Sequence, residues 1–409
     1  MKNSRILAFA AMMAASVLQG MARNSEEKVC KVNGDLNGWP AQRVTITRMG
    51  DDARFYGESI PVTNGRFSYE LEADGSTVYS IDAWNGGAIL WADFIAEGGT
   101  VNIVFHPDSA TEVRSEQPLN SEMQRVVAAT AAMTDTAFMW SGILEKAGLD
   151  YTETARRLIK LREGVKDRDS LNVIDGGLRR LQAEGRLRTP EFVEAKKAIG
   201  EAYRRMFKVR CDYAVKNPGP VGLYFLHKAA ESGLADTAQI RKALTEIYVP
   251  EYPTAYSTLW LQGWLEGCNT AVGKSYFDFT APDLSGVDHT LSKEIAGRVA
   301  LIDLWGSWCA SCRRHSKELI PVYNKYKDKG FTIVGVAREY DDAEAMEKAI
   351  QRDGYPWLNL LELDDRLGLW TKYGVGMAGG ARFLVGRDGN ILAINPNAAQ
   401  VEAILAKEM

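Results

Sequence analysis

The stretch that decides the fold of the C-terminal part of this chain is Leu304-Trp305-Gly306-Ser307-Trp308-Cys309-Ala310-Ser311-Cys312. The apolar segment Val299-Ala300-Leu301-Ile302 precedes it, and a helical pattern begins right after it. Two cysteines at C-x-x-C spacing on the first turn of a helix, entered from a buried strand, are typical of a reversible dithiol/disulfide pair. Cys309 is expected at the helix N-terminus, where unpaired N–H groups and the helix dipole favour a thiolate. The thiolate is the nucleophile of thiol–disulfide exchange, and Cys312, one turn on, is placed to resolve the mixed disulfide.

Other uses of a C-x-x-C pair fit the sequence less well. A structural zinc site needs four ligands, and the chain contains no second C-x-x-C and no paired histidines. A c-type haem would require histidine directly after the second cysteine, where Arg313 stands. A structural pair without redox use remains the alternative. Each of the other cysteines, Cys30, Cys211 and Cys268, is interpreted as a small buried apolar residue, and a Cys211–Cys268 bridge stays open.

Composition and the N-terminus indicate an exported globular protein. With 409 residues, 46% hydrophobic and 25% charged, two or three soluble domains are expected. A net charge of −4 without a basic stripe argues against nucleic-acid binding. A basic start, an apolar run over residues 6–18 and the small residues Gly20 and Ala22 predict a signal peptide over residues 1–22. We therefore expect a periplasmic or envelope-associated protein with no membrane span in the mature chain, in a compartment where disulfides persist.

Three regions of different periodicity follow, so the predicted fold class is multidomain. Residues 29–115 show short alternating runs and turn signals such as Asn64-Gly65, which predict an antiparallel β-sandwich. Residues 117–268 form a helical middle region, in which Thr189-Pro190 supplies an N-cap and a first helical position. In residues 272–409, strands alternate with helices in the order β-α-β-α-β-β-α, which predicts an α/β sheet with helices on both faces.

The last region resembles the TlpA/ResA-type thioredoxin-like thiol–disulfide oxidoreductases, over roughly the last third of the chain. The resemblance implies a thioredoxin-like fold and an enzyme without a cofactor. It also implies partners, namely thiols and disulfides of cell-envelope proteins and an upstream electron donor or acceptor. The matching segments are residues 302–312, residues 323–336, Phe383-Leu384-Val385 and Asp388-Gly389-Asn390-Ile391.

The β-rich N-terminal region is similar to a β-sandwich domain of unknown function that precedes such modules in envelope oxidoreductases. This second resemblance rests on Val32-x-Gly34, Asn64-Gly65-x-Phe67 and Ala96-Glu97-Gly98-Gly99.

The resemblance to the oxidoreductases assigns roles to individual residues. In the family an aspartate lies buried beneath the second cysteine and relays its proton, and Asp303 occupies that position. The apolar neighbours of Asp303 indicate burial, and burial raises the pKa of a carboxyl so that it accepts a proton near neutrality. Trp308 is expected to form an apolar lip against which a substrate chain lies.

Two positions depart from the family pattern. The family's cis-proline, which faces the disulfide, is replaced by Gly380 between Gly379 and Ala381. This substrate-binding loop is therefore expected to be more flexible and to admit a different partner. His315 stands where many members carry glutamate, and an imidazole there would shift the thiol pKa differently from a carboxylate. The alternative interpretation of His315 is a solvated helix histidine.

Two other functions compete with thiol–disulfide exchange. A peroxidase of the peroxiredoxin type needs proline and threonine or serine upstream of the cysteine, where Ile302 and Gly306 stand, so this function is disfavoured. The alternative from a different class is a redox-inactive or Cu(I)-binding thioredoxin-fold interaction module of the cell envelope. Cys309, Cys312 and His315 would supply its soft ligands. The favoured prediction is an oxidoreductase without a bound metal.

Overall fold

The structure of the protein is a computed structural model that describes residues 29–107, 110–377 and 379–409. The predicted signal peptide, residues 1–22, lies outside them. The chain divides into two compact units after Ala243. No helix within the described ranges combines the length and the apolar character that a membrane crossing requires.

The first unit begins with two four-stranded sheets that share one apolar core. Val32 and Val101 enter this core from one sheet, and Ile81 and Phe94 enter it from the other. The strands are β1 (Val29–Asp35), β2 (Arg43–Arg48), β3 (Glu58–Pro61), β4 (Arg66–Glu72), β5 (Val78–Trp84), β6 (Ile89–Ile95), β7 (Gly99–Val104) and β8 (Glu112–Ser115). Their order is β4-β1-β7-β8 in one sheet and β3-β2-β5-β6 in the other.

One strand pairing differs from the prediction. β1 pairs antiparallel with β4 but parallel with β7, so that Val32 lies between Tyr69 and Val101. The predicted purely antiparallel arrangement is therefore wrong at this pair. Side chains alternate between the two faces in strands of either direction, so alternation in the sequence does not reveal direction. Strands of the second sheet lie between β1 and β7 in the chain, so no tight turn relates the directions of these two strands.

Two of the segments that carry the second resemblance, Val32-x-Gly34 and Asn64-Gly65-x-Phe67, contact each other in the structure. Asn64 and Gly65 have φ angles of 51° and 74° and form the predicted tight turn that leads into β4. Gly34 in β1 lies opposite Phe67 in β4. A Cβ on Gly34 would lie 2.0 Å from the Phe67 ring, so only glycine lets the ring lie across the strand.

Helices complete the first unit. They are α1 (Ala53–Tyr56), α2 (Pro118–Lys146), α3 (Glu153–Gly164), α4 (Arg168–Ala183), α5 (Pro190–Lys216), α6 (Pro220–Glu231) and α7 (Thr237–Ala243). As predicted, Thr189 is the N-cap of α5, and its hydroxyl accepts a hydrogen bond from the Phe192 N–H at 3.3 Å. α5 packs against α2 and buries Phe192 and Met206.

The second unit is built around a five-stranded sheet. Its strands are β11 (Val299–Trp305), β12 (Phe331–Glu339), β13 (Leu358–Leu363), β14 (Ala381–Val385) and β15 (Ile391–Ile394), and β9 (Thr280–Pro282) and β10 (Asp288–Thr290) form a separate pair. The order in the large sheet is β13-β12-β11-β14-β15. β11, β12 and β13 are parallel to one another. β14 pairs antiparallel with β11, and β15 pairs antiparallel with β14. β13 was not predicted, because Asn359 and Glu362 interrupt its apolar pattern.

β11 lies at the centre of this sheet, and its side chains alternate between two apolar cores. Leu301 and Trp305 enter one core, whereas Ile302 and Leu304 enter the other. The helices are α8 (Val249–Glu251), α9 (Tyr256–Gly267), α10 (Leu291–Glu294), α11 (Ala310–Tyr326), α12 (Glu344–Asp353), α13 (Leu369–Lys372) and α14 (Ala398–Glu408), with a π-helical turn at Leu244–Tyr248 and a 3-10 turn at Lys327–Lys329. α9 packs against α13 in this unit, although its sequence lies in the predicted helical region.

Candidate active site

The two cysteines of the C-x-x-C stretch form a disulfide at the start of α11. β11 ends at Trp305, and Cys309 is the N-cap of α11. The Cα atoms of Cys309 and Cys312 lie 5.3 Å apart. The Cys312 N–H donates a hydrogen bond to the Cys309 Sγ at 3.3 Å. Such a donor at a helix N-terminus stabilises the Cys309 thiolate once the disulfide is reduced.

Position rather than exposure distinguishes the two cysteines of the pair, because Cys309 is 6% and Cys312 is 7% exposed. The other three cysteines form no disulfide, so the Cys211–Cys268 bridge is absent, and Cys268 is exposed rather than buried as predicted. Burial raises the pKa of the Cys30 thiol to about 11 and that of the Cys211 thiol to about 12. These two thiols are inert at neutral pH, as expected for buried apolar cysteines.

Asp303 lies in the middle of β11 and is 2% exposed. Burial raises the pKa of its carboxyl to about 6, although a hydrogen bond from Ser316 and the charge of Arg382 act in the opposite direction. The Ser316 Oγ lies 2.6 Å from the Asp303 Oδ2 and 3.0 Å from the Cys312 carbonyl oxygen. One hydroxyl group therefore separates this carboxyl from the main chain of Cys312. A carboxyl with this pKa gains and loses a proton close to neutral pH.

Trp308 flanks the disulfide and is partly exposed. Its Nε1–H donates a hydrogen bond to the Arg338 carbonyl oxygen at 2.9 Å. The indole covers Gly306, where a Cβ would lie 2.6 Å from the Nε1 atom. Trp305 is different, because it is 1% exposed and packs edge-on against Tyr355. Of the two tryptophans, Trp308 is therefore the one that presents apolar surface next to Cys309.

The loop that enters the C-x-x-C motif is held by contacts that the sequence does not predict. Glu339 is 2% exposed and accepts hydrogen bonds from the Ser307 N–H at 2.7 Å and the Ser307 hydroxyl at 2.6 Å. Arg313 donates to the Ser307 carbonyl oxygen at 3.4 Å and to the Asp353 carboxylate at 2.6 Å. Ser307 is therefore fixed on both sides. The sequence shows only that a polar residue, Glu339, ends an apolar strand. It does not indicate which residue Glu339 contacts.

His315 lies on α11 and is partly exposed. Burial and the positive charges of Arg382 and Arg314 lower the pKa of its imidazole, against the effect of Glu318. The imidazole is therefore neutral at pH 7. Within the described ranges no three or more His, Cys, Asp or Glu side chains are grouped to hold a metal ion, and His315 does not form such a group with the two cysteines.

Gly379, Gly380 and Ala381 lie beside the disulfide, where β14 begins. Ala381 is the first residue of β14 and pairs with Leu304 of β11. A Cβ on Gly380 would lie 1.8 Å from the Leu304 carbonyl oxygen and 3.1 Å from the Cys312 Sγ. The main chain thus approaches β11 and Cys312 more closely than any side chain allows. Glycine at this position allows close packing, whereas its sequence context predicts only flexibility.

Comparison with known proteins identifies the relatives of the second unit. Residues 272–394 match the model of the AhpC/TSA family. The thiol:disulfide interchange protein DsbE of Allochromatium vinosum is 33% identical over 106 residues, which are 25% of this chain and 56% of the relative. The thiol-disulfide oxidoreductase ResA of Geobacillus kaustophilus is 28% identical over 137 residues, which are 34% of this chain and 76% of the relative.

The homologues of the second unit are thus thiol–disulfide oxidoreductases of the thioredoxin-like family. Among solved structures, the thioredoxin domain of a thiol-disulfide oxidoreductase from Bacteroides vulgatus is 31% identical, with 34% of this chain and 96% of that chain covered and a TM-score of 0.31. The chain spans about half the length of the DsbE relatives that it matches. The match to the family model begins at residue 272, so the first unit lies outside it.

Replacing Gly380 by alanine is expected to destabilise the second unit by about 1–3 kcal/mol, because the added methyl group must displace the Leu304 carbonyl or the loop itself. Urea denaturation measures this change. Gly376→Ala is the matched control, since a Cβ at Gly376 meets no atom within 4 Å. Equal stability of the two variants would contradict the close packing described here.

Proposed function

We propose that the chain is an exported thiol–disulfide oxidoreductase that exchanges electrons with disulfides of cell-envelope proteins through Cys309 and Cys312. The observation that carries this proposal is the Cys309–Cys312 disulfide at the N-terminus of α11, together with the buried Asp303 carboxyl, whose partner Ser316 also contacts the Cys312 carbonyl oxygen. Helix position supports Cys309 as the nucleophile, and the raised pKa of Asp303 supports that residue as the proton acceptor.

The proposed reaction begins with the reduced pair. The Cys309 thiolate attacks one sulfur of a substrate disulfide, and the substrate S–S bond breaks as the Cys309–substrate bond forms. The first substrate sulfur leaves as a thiolate. Cys312 then passes its proton to the Asp303 carboxylate and attacks the Cys309 Sγ. The Cys309–Cys312 disulfide forms, and the second substrate thiolate leaves, so that two electrons have passed from the protein to the substrate. The same steps in reverse oxidise a substrate dithiol.

The remaining site residues are proposed to bind the substrate and tune the pair. Trp308 supplies an apolar surface next to Cys309, and Gly379, Gly380 and Ala381 supply main-chain groups on the opposite side of the disulfide. His315 is proposed to modulate the thiols as a neutral side chain, which leaves the charge of the site unchanged at pH 7.

The domain organisation and location are part of the same proposal. Residues 1–22 act as a signal peptide, residues 29–115 form a β-sandwich, residues 117–268 form a helical region, and residues 272–409 carry the redox chemistry. The shared core of the two N-terminal sheets supports the sandwich. A periplasmic or envelope location supports the chemistry, because disulfides persist there and an upstream donor or acceptor resets the pair.

The proposal is tested by redox titration of the chain without residues 1–22 in glutathione buffers, with free thiols counted by mass after alkylation. We expect a single two-electron transition in which Cys309 and Cys312 react together, and catalysed reduction of a peptide disulfide by the reduced chain. A pair that titrates but exchanges with no peptide disulfide would overturn the enzymatic role.

A further inference from the structure

Arg382 presents a guanidinium group next to the disulfide. It is the second residue of β14 and pairs with Asp303 of β11. Directly opposite residues of an antiparallel pair place their side chains on the same face of the sheet. The Asp303 carboxyl contacts Ser316 of α11, so the Arg382 side chain lies on the face that α11 covers. Gly380, whose main chain closely approaches the Cys312 Sγ, lies about 7 Å before Arg382 along the chain.

The guanidinium of Arg382 is oriented but bonds no carboxylate. Its Nε donates a hydrogen bond to the Pro396 carbonyl oxygen at 3.1 Å, and the main-chain N–H of Arg382 donates to the Asn395 Oδ1 at 3.0 Å. Among the described residues no carboxylate forms an ion pair with this guanidinium, the neighbouring Asp303 included. The two Nη groups bond nothing within the same ranges, and they reach solvent. Two parallel donors on a planar fork are the geometry that binds a carboxylate through both oxygens.

The charges near Arg382 are mostly positive. Arg314 on α11 is exposed and forms no ion pair in the part of the chain that the structure describes. The charges of Arg382 and Arg314 both act on His315, which is neutral at pH 7 and supplies no opposite charge. Opposite charge comes from Glu318, one turn further along α11, and from Asp303, which is 2% exposed. The surface beside the disulfide thus differs in sign from the whole chain, whose net charge is −4.

We propose that Arg382 binds a carboxylate of the substrate polypeptide, supplied by an acidic side chain about two residues from the cysteine that reacts with Cys309. The two Nη groups donate parallel hydrogen bonds to the two carboxylate oxygens, and Arg314 adds attraction at longer range. The spacing follows from the distance along β14 between Arg382 and the main chain beside Cys312. This binding mode rests on the proposed exchange reaction and specifies its substrate class, a cysteine-containing segment with a nearby acidic side chain.

The test uses two peptide disulfides that differ only in carrying glutamate or glutamine two residues from the cysteine. We expect kcat/KM of the unaltered, reduced chain to be about fivefold higher for the glutamate peptide at low ionic strength, the effect of one partly exposed ion pair of good geometry. Each value is divided by the rate of the same peptide with dithiothreitol, which corrects for the effect of glutamate on the peptide disulfide itself. Arg382→Gln should remove the preference.

Arg387→Gln is the matched control and should keep the preference. It removes the same charge from an exposed arginine that forms no ion pair within the described ranges and lies beyond the opposite end of β14. Burial raises the pKa of Asp303 and the charge of Arg382 opposes this effect, so Arg382→Gln also changes the rate with both peptides. The ratio of the two rates cancels that change and reports the carboxylate alone.

An unchanged ratio in Arg382→Gln, or equal corrected rates of the unaltered chain with both peptides, would overturn the proposal. These outcomes differ from failure of the proposed function, in which the unaltered chain reduces neither peptide.

A second measurement covers the case in which Arg382→Gln does not fold. The rate ratio of the unaltered chain is followed as the salt concentration rises from about 0.01 M to about 1 M, which shortens the Debye length from about 30 Å to about 3 Å. The preference for the glutamate peptide should fall from about fivefold to less than about twofold, because salt screens an ion pair that reaches solvent. A preference that does not depend on salt would contradict binding by the guanidinium.

Discussion

Cys309→Ser will reduce the rate of exchange with a peptide disulfide by a factor on the order of a thousand or more, because it removes the attacking sulfur. Cys312→Ser will lose turnover to a similar extent for a different reason. Its Cys309 still attacks, but the adduct has no second thiol to resolve it, so one substrate molecule stays covalently attached. Mass spectrometry of the reaction mixture distinguishes the two variants, since only Cys312→Ser gains the mass of the substrate.

The control for this pair is Cys268→Ser, which removes an exposed thiol that is not part of a disulfide and lies outside the C-x-x-C motif. Its exchange rate should equal that of the unaltered chain. If Cys309→Ser collects the adduct while Cys312→Ser does not, the assignment of nucleophile and resolving cysteine is reversed, and the helix N-terminus does not select the attacking thiol.

Asp303→Asn is expected to slow the resolving step by a factor of about 10² to 10³, because amide nitrogen and oxygen do not accept the Cys312 proton at neutral pH. The pH dependence should change as well. Resolution in the unaltered chain should accelerate as the pH rises through about 6, where the Asp303 carboxyl ionises. The resolving step of the variant should show no such acceleration near pH 6. Stopped-flow measurement of the second substrate thiol between pH 5 and 8 follows the step directly.

The same substitution should stabilise the protein. The pKa of Asp303 is about 6 in the folded chain and about 3.9 in an unfolded one, so the folded state binds the proton more tightly. The contribution of this carboxyl to stability is thus fully present below pH 4 and is lost as the pH rises through 6. At pH 7 its ionisation costs about 2–3 kcal/mol, which asparagine does not incur.

Urea denaturation at pH 4 and pH 7 should therefore show stabilisation by Asp303→Asn at pH 7 only. Glu362→Gln is the control for the pH–rate profile, because burial raises the pKa of this carboxyl to about 8. At pH 7 this carboxyl is protonated in the folded chain but ionised in the unfolded one, so its replacement should also stabilise the protein at pH 7, yet it should leave the rise of the rate near pH 6 unchanged. A pH–rate profile that is identical in Asp303→Asn and the unaltered chain would remove Asp303 from the mechanism.

Several features of the protein are determined by short stretches of sequence. The Asn64-Gly65 turn, the start of α5 after Thr189, and the placement of Cys309 at a helix N-terminus follow from local backbone preferences. The burial of Asp303 was also visible, because its neighbours on both sides in the sequence are apolar. Each depends on residues within a turn or a strand of one another, so neighbours in the chain are sufficient to predict it.

Only the tertiary structure decided the features that depend on distant residues. Three such features are the parallel pairing of β1 with β7, the hydrogen bonds from Ser307 to Glu339, and the hydrogen bond from Trp370 to Gly379. No local sequence pattern relates the groups that these contacts join. Gly380 is the clearest case. Its sequence context indicates only conformational freedom, whereas its environment shows that the Leu304 carbonyl and the Cys312 sulfur leave no space for a Cβ. The reason is physical: backbone preference is a property of the residue and its neighbours, but available space is set by whatever the fold packs against it.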